Sequence, residues 1–364
     1  MPRVDSESLQ SFARDLAEAL GAPPEIAEAL ATSLVSADLR GHGSHGVIRF
    51  ASTYRTMIEG GQLDPAATPR VVSEDGPTGL VDGERGFGQV AGRLAADVLI
   101  ERTEATGVGI VGLGNASHLG RVGEFAEQVA EEGLLFAAWV NTGGTASLVA
   151  PVGGLDRRLA TNPIAFGVPS FGAVDFPIVL DMATSQVAHG KITKRAVEGK
   201  DLPPSWAIDD GGEALTDPED FEDGTGAMAP LGGSVAGHKG FGLAVVAELF
   251  AGICGDGRVA GERSPEWVNN AATFLAIDPA RFGAEPRHRE RVAALLAYLR
   301  DADFSEELLP ESARGEELLV PGEAEHRTMA DREERGIPID DRTLELLSEL
   351  AAAYDVSVPL ALDS

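Results

Sequence analysis

Near the start of the chain, apolar residues recur at helical spacing. Leu9, Phe12, Leu16 and Leu20 predict a helix over 5–20, with Asp5 or Ser6 as its cap and Gly21 as its stop. Pro23-Pro24-Glu25 opens a second helix with Ile26, Leu30, Leu34 and Ala37 on its apolar face, and a third pattern runs from about Gly46 to Glu59. The period then shortens to two. Val71–Ser73 and Gly79–Asp82 read as short strands, and the turn at 83–88 leads into a helix carrying Val90, Leu94, Val98 and Leu99. Val108–Leu113, a loop to Gly120, a helix over Arg121–Glu132 and a strand over Leu134–Val140 follow, as in a right-handed parallel crossover. Ile164–Val168 and Pro177–Asp181 are strand-like, and Ser185 to about Val197 is helical. Residues 209–226 read as a glycine- and acid-rich surface loop, and His238–Cys254 as a buried apolar helix. Ala272–Ile277 predicts a strand, Glu285–Arg300 a helix, Leu318–Val320 a β-like run before a turn, and Asp340–Tyr354 a last helix with an aspartate cap. Strands interleaved with helices, with no internal repeat, mean an α/β or α+β fold, with mixed α/β as the expectation.

The 364 residues are enough for two or three domains, and an apolar fraction of 43% argues against disorder. Charge changes the picture most. There are 58 acidic against 29 basic residues, a net charge of −29, and the lysines are only Lys191, Lys194, Lys200 and Lys239. Such a field repels nucleic acid and anionic lipid, so neither is an expected partner. The acids are spread over the whole chain, the pattern of an enzyme from a salt-loving organism, in which salt screens self-repulsion. The single cysteine, Cys254, excludes an internal disulfide and suits a reducing cytoplasm. With no apolar run of about 18 residues and no signal-peptide core, the chain reads as cytoplasmic, without a membrane span.

The chemistry concentrates at Asp38-Leu39-Arg40-Gly41-His42-Gly43-Ser44-His45-Gly46-Val47-Ile48-Arg49. Glycines let this loop turn sharply and aim its imidazoles, and histidine is suited to proton transfer near neutral pH. Arg49, four residues after His45, can set a planar fork beside the ring, which is what a small carboxylate substrate needs. The bland alternative is a glycine-rich turn with incidental histidines. His42-x-x-His45 could hold a metal on a helix, but the intervening glycine argues for a loop and no fourth ligand is at hand, so no metal is expected. Ser44-His45 has the composition of a nucleophile–base pair without a serine-elbow motif, which leaves a hydrolase as a lesser possibility.

Three other stretches stand out. Gly112-x-Gly114-x-x-Ser117 approaches the dinucleotide fingerprint, but serine replaces the third glycine and Asn141 stands where an acid belongs; His118 in the same loop suits a second ligand contact. Asp181–Gln186 ends a strand and starts a helical run, whose amides and the hydroxyls of Thr184 and Ser185 could take phosphate oxygens or simply cap the helix. His238-Lys239, among glycines at the head of an apolar helix, places a rare lysine where a ligand's charge could meet it.

Taken together, Gly41–Gly46 with Arg49, Asn115–Gly120, Thr161-Asn162-Pro163, Leu180–Ser185, His238–Leu243 and Val320–Glu323 resemble, in order, the motifs of the malate/L-lactate dehydrogenase family that is distinct from Rossmann-type enzymes. The family also includes sulfolactate, ureidoglycolate and diketogulonate oxidoreductases. The resemblance implies a mixed-sheet, non-Rossmann cofactor domain, NAD or NADP as hydride carrier, and a homodimer. It implies His45 as acid/base with Ser44 as a relay partner, and His118 near the substrate, where in some members it accepts the proton. Arg49 and Thr161 would hold the substrate carboxylate. Leu180, Asp181, Met182, Ala183, Thr184, Ser185, Gln186, His238, Lys239, Gly322 and Glu323 would line the cofactor. Residues 1–75 with 300–364 are expected to form a substrate and dimerisation domain, and 76–299 the NAD(P)-binding domain. The expected function is hydride transfer between NAD(P) and a small 2-hydroxy/2-oxo acid. A cyclic imine reductase and a non-catalytic carboxylate-binding protein are the alternatives.

Overall fold

The computed structural model describes residues 1–144, 146–262, 269–308 and 318–359. The elements, in chain order, begin with β1 (Arg3–Val4), α1 (Ser6–Ala19), α2 (Pro24–Leu39), α3 (Arg55–Glu59), β2 (Arg70–Asp75), β3 (Thr78–Asp82), α4 (Gly88–Thr106) and β4 (Val108–Ala116). Then come α5 (Gly123–Glu131), β5 (Leu135–Asn141), β6 (Ile164–Val168), β7 (Ile178–Met182), α6 (His189–Glu198), β8 (Ala207–Ile208), α7 (Pro218–Glu222) and β9 (Ala227–Met228). The last are α8 (Gly233–Cys254), β10 (Asn270–Ile277), α9 (Glu285–Arg300), α10 (Glu323–Arg335), β11 (Ile337–Pro338) and α11 (Asp341–Ala353). The mixed α/β expectation holds.

α1 and α11 start where their aspartates direct. Asp5 accepts the Ser8 amide and Asp340 the Thr343 amide, each at 2.8 Å, satisfying donors that a helix start leaves orphaned. Leu9, Phe12 and Leu16 pack with Ile26, Leu30 and Leu34 and with Ile337, Leu347 and Leu350 in one core, so the two ends of the chain share their hydrophobic burial. β1 pairs with β11 beside that core.

The central sheet has the order β2-β3-β4-β10-β5-β6-β7, with β3 and β4 parallel and every other pair antiparallel. β4 and β5 therefore run the same way, as the crossover pattern predicted, but β10 lies between them. A strand nearly 130 residues downstream of β5 inserts there; its Asn-Ala-Ala-Thr-Phe start pairs with β4 on one side and β5 on the other. α4 and α5 cover one face through Val98, Leu99, Phe125 and Val129, packed on Val111, Leu113, Phe136 and Phe274. α8 covers the other face. It approaches closely because its buried side is made of Gly237, Gly240, Ala244, Ala247, Ala251 and Gly252 around one acid, Glu248.

Four sequence expectations need correcting. The 46–59 helix starts late and is not regular: Gly46 is extended after a 3₁₀ turn at Gly43–His45, the helical run opens only at Arg49, and a π-helical turn at Phe50–Tyr54 precedes α3. α8 is not fully buried. Leu243, Val246, Leu249, Phe250 and Ile253 form an exposed apolar ridge, with Ile253 73% accessible. By length and composition alone α8 would suit a membrane span, but its other side is packed on the sheet. The 209–226 segment is ordered around α7, with Arg157 donating to Gly226 O and Phe221 O and stacking on the Phe221 ring. Leu318–Val320 forms no strand; buried Val320 instead leads into the turn before α10.

Candidate active site

The loop after α2 is held from below by Asp38. Its Oδ2 accepts the Val47 amide at 2.9 Å, and its Oδ1 lies where a Cβ on residue 46 would sit, 1.9 Å away. Glycine at 46 is thus a matter of space, and the close approach is what folds the loop back over the end of α2. Burial pushes the Asp38 carboxyl up to about 7, against the pull of Arg332 and the Val47 amide.

On top of this floor Ser44 Oγ lies 3.0 Å from His45 Nδ1. The His45 ring stacks with His118 at 5.5 Å between centroids and 30° between planes, bringing together residues 73 apart in sequence. Burial, then the positive charges of Arg49, His42 and Arg121, push His45 down to about 3. His118 is lowered well below its ordinary 6.5 by burial, Arg49 and His45. Both rings are therefore neutral at pH 7. The His118 Nδ1 accepts the Gly120 amide at 3.0 Å, so the proton of the neutral ring sits on Nε2 and points a donor outward. On His45 the matching choice, Nδ1–H donating to Ser44 Oγ, leaves Nε2 as an open base.

Arg49 comes from the start of the π-helical turn. One nitrogen donates to Thr53 Oγ1 at 3.2 Å, while Nε is buried with no partner. A guanidinium donor left without a protein partner beside two neutral imidazoles has the chemistry to take a carboxylate. His42 turns away and meets Glu325 at 3.4 Å, which lowers the Glu325 carboxyl. Among the described residues no three His, Cys, Asp or Glu side chains gather as a metal site.

The cofactor-motif residues are more dispersed. Leu180 is 39% exposed on β7 and pairs in register with equally exposed Phe166, which makes an apolar platform on the α8 side of the sheet. Asp181 faces the other way and accepts the Gly123 amide at the head of α5; burial raises its carboxyl. Met182 and Ala183 follow on the same strand end. The phosphate cradle read from Thr184-Ser185 is not formed. The helix starts at His189, and the Thr184 amide and hydroxyl both bond to Thr161 O. The Ser185 hydroxyl bonds to Val187 O and the Gln186 amide to Ala229 O. Gln186 Oε1 in turn accepts the Gly232 amide before α8. His238 and Lys239 are exposed on the first turns of α8. The Glu323 carboxylate is buried and taken up by Arg300, Arg327 and the Val320 amide, so it holds the turn rather than facing a cleft. Gly322, with φ +88°, lines a narrow crevice with His42, Arg121 and Asp181.

The fingerprint-like glycines prove to be packing residues. A Cβ on Gly112 would lie 1.8 Å from Cys254 O, and one on Gly114 would lie 2.1 Å from Gly255 O; the end of α8 rests directly on β4.

The sequence pattern of the malate/L-lactate dehydrogenase family matches residues 4–348. A malate dehydrogenase of Pyrococcus horikoshii is 36% identical over 361 residues, covering 97% of this chain and 96% of that protein. An L-sulfolactate dehydrogenase of Methanocaldococcus jannaschii is 33% identical over 348 residues, covering 94% and 95%. The crystal structure of malate dehydrogenase from Entamoeba histolytica superposes with a TM-score of 0.90 at 29% identity, covering 98% of this chain and 99% of that one. The chain belongs to the malate/L-lactate dehydrogenase family. It is an oxidoreductase of the kind that acts on the CH–OH group of a hydroxy acid, and the non-Rossmann fold expected from the motifs is the one observed.

Three residues at the site were given no role by the sequence. Asp38 opens the stretch singled out above and Arg121 follows Gly120, yet only the fold shows Asp38 under the loop. Arg121 is buried and paired with both oxygens of Glu127, its charge directed at His45 and Asp181. Gly190, at the head of α6, packs against Ser44, where a Cβ would come within 3.0 Å of the Ser44 Cβ. Its motif-free surroundings gave no hint of that contact.

Proposed function

We propose that this protein catalyses reversible hydride transfer between NAD or NADP and a small 2-hydroxy/2-oxo acid, with His45 as the acid/base. The observation that carries the reading is the facing pair of neutral imidazoles, His45 and His118, beside the orphaned Nε of Arg49. Arg49, with Thr161 as its partner, binds the substrate carboxylate and turns the C2 hydroxyl toward the rings. In the oxidation direction His45 Nε2 takes the hydroxyl proton, while Ser44 Oγ accepts from Nδ1 and steadies the tautomer. The substrate's negative charge opposes the Arg49 charge that depresses His45, so binding raises the basicity of the ring just where a proton must be taken. His118 Nε2–H donates to the same oxygen as its charge develops.

The residues fit a nicotinamide dinucleotide. The Leu180–Phe166 platform suits a flat base, and His238 and Lys239 suit phosphate. When bound, the nicotinamide supplies the hydride acceptor. We place the cleft between the helical body and the sheet body; the expected boundary at 75 moves back, because β2 (Arg70–Asp75) pairs with β3 and belongs to the sheet. Of the expected domains, residues 145, 263–268, 309–317 and 360–364 lie outside the described ones. The exposed ridge of α8 supports a homodimer.

The test is NADH and NADPH absorbance decay in concentrated salt with oxaloacetate, pyruvate, sulfopyruvate and cyclic imines. Turnover of one oxo acid is expected, and His45→Ala should lower it by about 10²-fold or more. If His45→Ala keeps near-native turnover while His118→Ala loses it, the acid/base role passes to His118. Turnover of imines alone would keep the hydride chemistry and replace the substrate. Folded protein with no turnover would leave a carboxylate-binding protein.

A further inference from the structure

A chain of buried hydrogen bonds joins the two substrate-side segments through a residue that no motif contains. Glu248, in the middle of α8, is 5% exposed. Its Oε2 accepts from Asn162 Nδ2 at 2.7 Å. Its Oε1 accepts from Asn141 Nδ2 at 3.0 Å and from the Ala260 amide at 2.8 Å. Asn141, at the end of β5, passes the connection on: its carbonyl accepts Asn270 Nδ2 at 2.6 Å, and Asn270 Oδ1 accepts the Leu119 amide at 2.9 Å, next to His118. On the other side Asn162 follows Thr161 directly and holds a left-handed φ of +33°, with its carbonyl bound by Thr184 Oγ1 at 3.1 Å.

We infer that Glu248 is a positioning residue, the buried acceptor that sets the His118 loop and the Thr161–Asn162 segment in one fixed geometry; this rests on the functional reading above for what His118 and Thr161 do. A carboxylate accepts and never donates when ionised, so it can take three N–H groups from three directions. A carboxamide of the same shape must turn an NH₂ toward one of those donors. In a buried network, one mismatched pair leaves groups unsatisfied and moves the segments attached to them. The segments here are the loop carrying a ring whose tautomer depends on a 3.0 Å bond to its own backbone and the strand start carrying a carboxylate ligand.

The experiment compares the full-length wild-type protein with Glu248→Gln, measuring kcat, KM for the oxo acid, nicotinamide Kd by fluorescence, and the imidazole ¹⁵N shifts of His118, assigned by His118→Asn. The expected result is a folded variant with kcat lower by about 10-fold to 10²-fold, since displacements near 1 Å have that effect. Nicotinamide Kd should stay within about twofold, because binding energy lost uniformly would appear there instead. The His118 ¹⁵N pair should move from one fixed Nε2–H tautomer toward an average. Asn270→Asp keeps the acceptor for the Leu119 amide but faces Asn141 O with a second acceptor, and should shift the same readouts. It carries the test if Glu248→Gln does not fold. Unchanged kcat and ¹⁵N shifts in a folded variant overturn the inference, as does a parallel loss of nicotinamide affinity. If neither variant folds, Glu248 is a core residue and the positioning role falls. If the wild type turns over no substrate, the functional reading fails, and the ¹⁵N shifts alone decide the positioning of His118.

Discussion

Asp38 and Gly46 show how a motif's glycine can be read from one contact. The Asp38 carboxyl sits against the Cα of residue 46, buried at 4% exposure, and its Oδ2 ties down Val47. With a folded-state value near 7, raised from an ordinary 3.8, its protonated form is favoured by folding. The sign follows: the contribution is fully present below about pH 4 and is lost as pH rises through about 7. Asp38→Asn keeps an acceptor for the Val47 amide and has no charge to bury. Its stability should vary less between pH 4 and 7 than that of the wild type and exceed it at pH 8 by on the order of 1–3 kcal/mol. Urea titrations at a series of pH values in constant salt check this; parallel curves for the two proteins would reject it. His45, Ser44 and Arg49 were legible from their residue types and spacing. Asp38 was not, because its role depends on a fold-back of eight residues whose direction only the loop geometry sets.

At the scale of elements, small residues decide how near helix and strand can come. Gly112 and Gly114 alternate with Val111 and Leu113 on β4, so one face of the strand packs on α4 and α5 while the other admits the backbone at the end of α8. Gly112→Ala would drive a methyl into Cys254 O, and relief requires lifting the end of α8 from the sheet. The expected cost is at least about 1–3 kcal/mol, the range for overpacking a tight interior. Thermal melts in concentrated salt measure it, and a variant as stable as the wild type would show that the contact yields without strain. Sequence spacing alone presented these glycines as a partial phosphate-binding signature. Period-two alternation and glycine spacing coincide there, and only the neighbouring helix separates the two meanings.

Across the whole molecule, two surface properties act together. The net charge of −29 makes two copies of the chain repel, while the α8 ridge of Leu243, Val246, Leu249, Phe250 and Ile253 offers apolar area to be covered. A homodimer closed through this ridge should persist in about 2 M KCl, where screening is nearly complete, and shift toward monomer in about 0.1 M. Ile253→Glu, at the most exposed position of the ridge, should give monomers even in high salt. Light scattering coupled to size exclusion reads both outcomes; a wild type that is monomeric throughout, or an Ile253→Glu protein that remains a dimer, would remove α8 from the interface.

Local pattern alone carried the helix starts at Asp5 and Asp340, the apolar faces of α1 and α2, most of the strands, and the identity of the residues around His45. These depend on side chains a few positions apart, where spacing translates directly into one face of a helix or strand. Tertiary structure decided the rest. It put β10 between β4 and β5, set His118 over His45, turned Glu323 inward to its arginines, left one side of α8 exposed, and gathered Asn141, Asn162, Asn270 and Glu248 into one network. Each of these joins residues far apart along the chain, and a contact between distant residues is selected by the packing of whole elements, which no local spacing encodes.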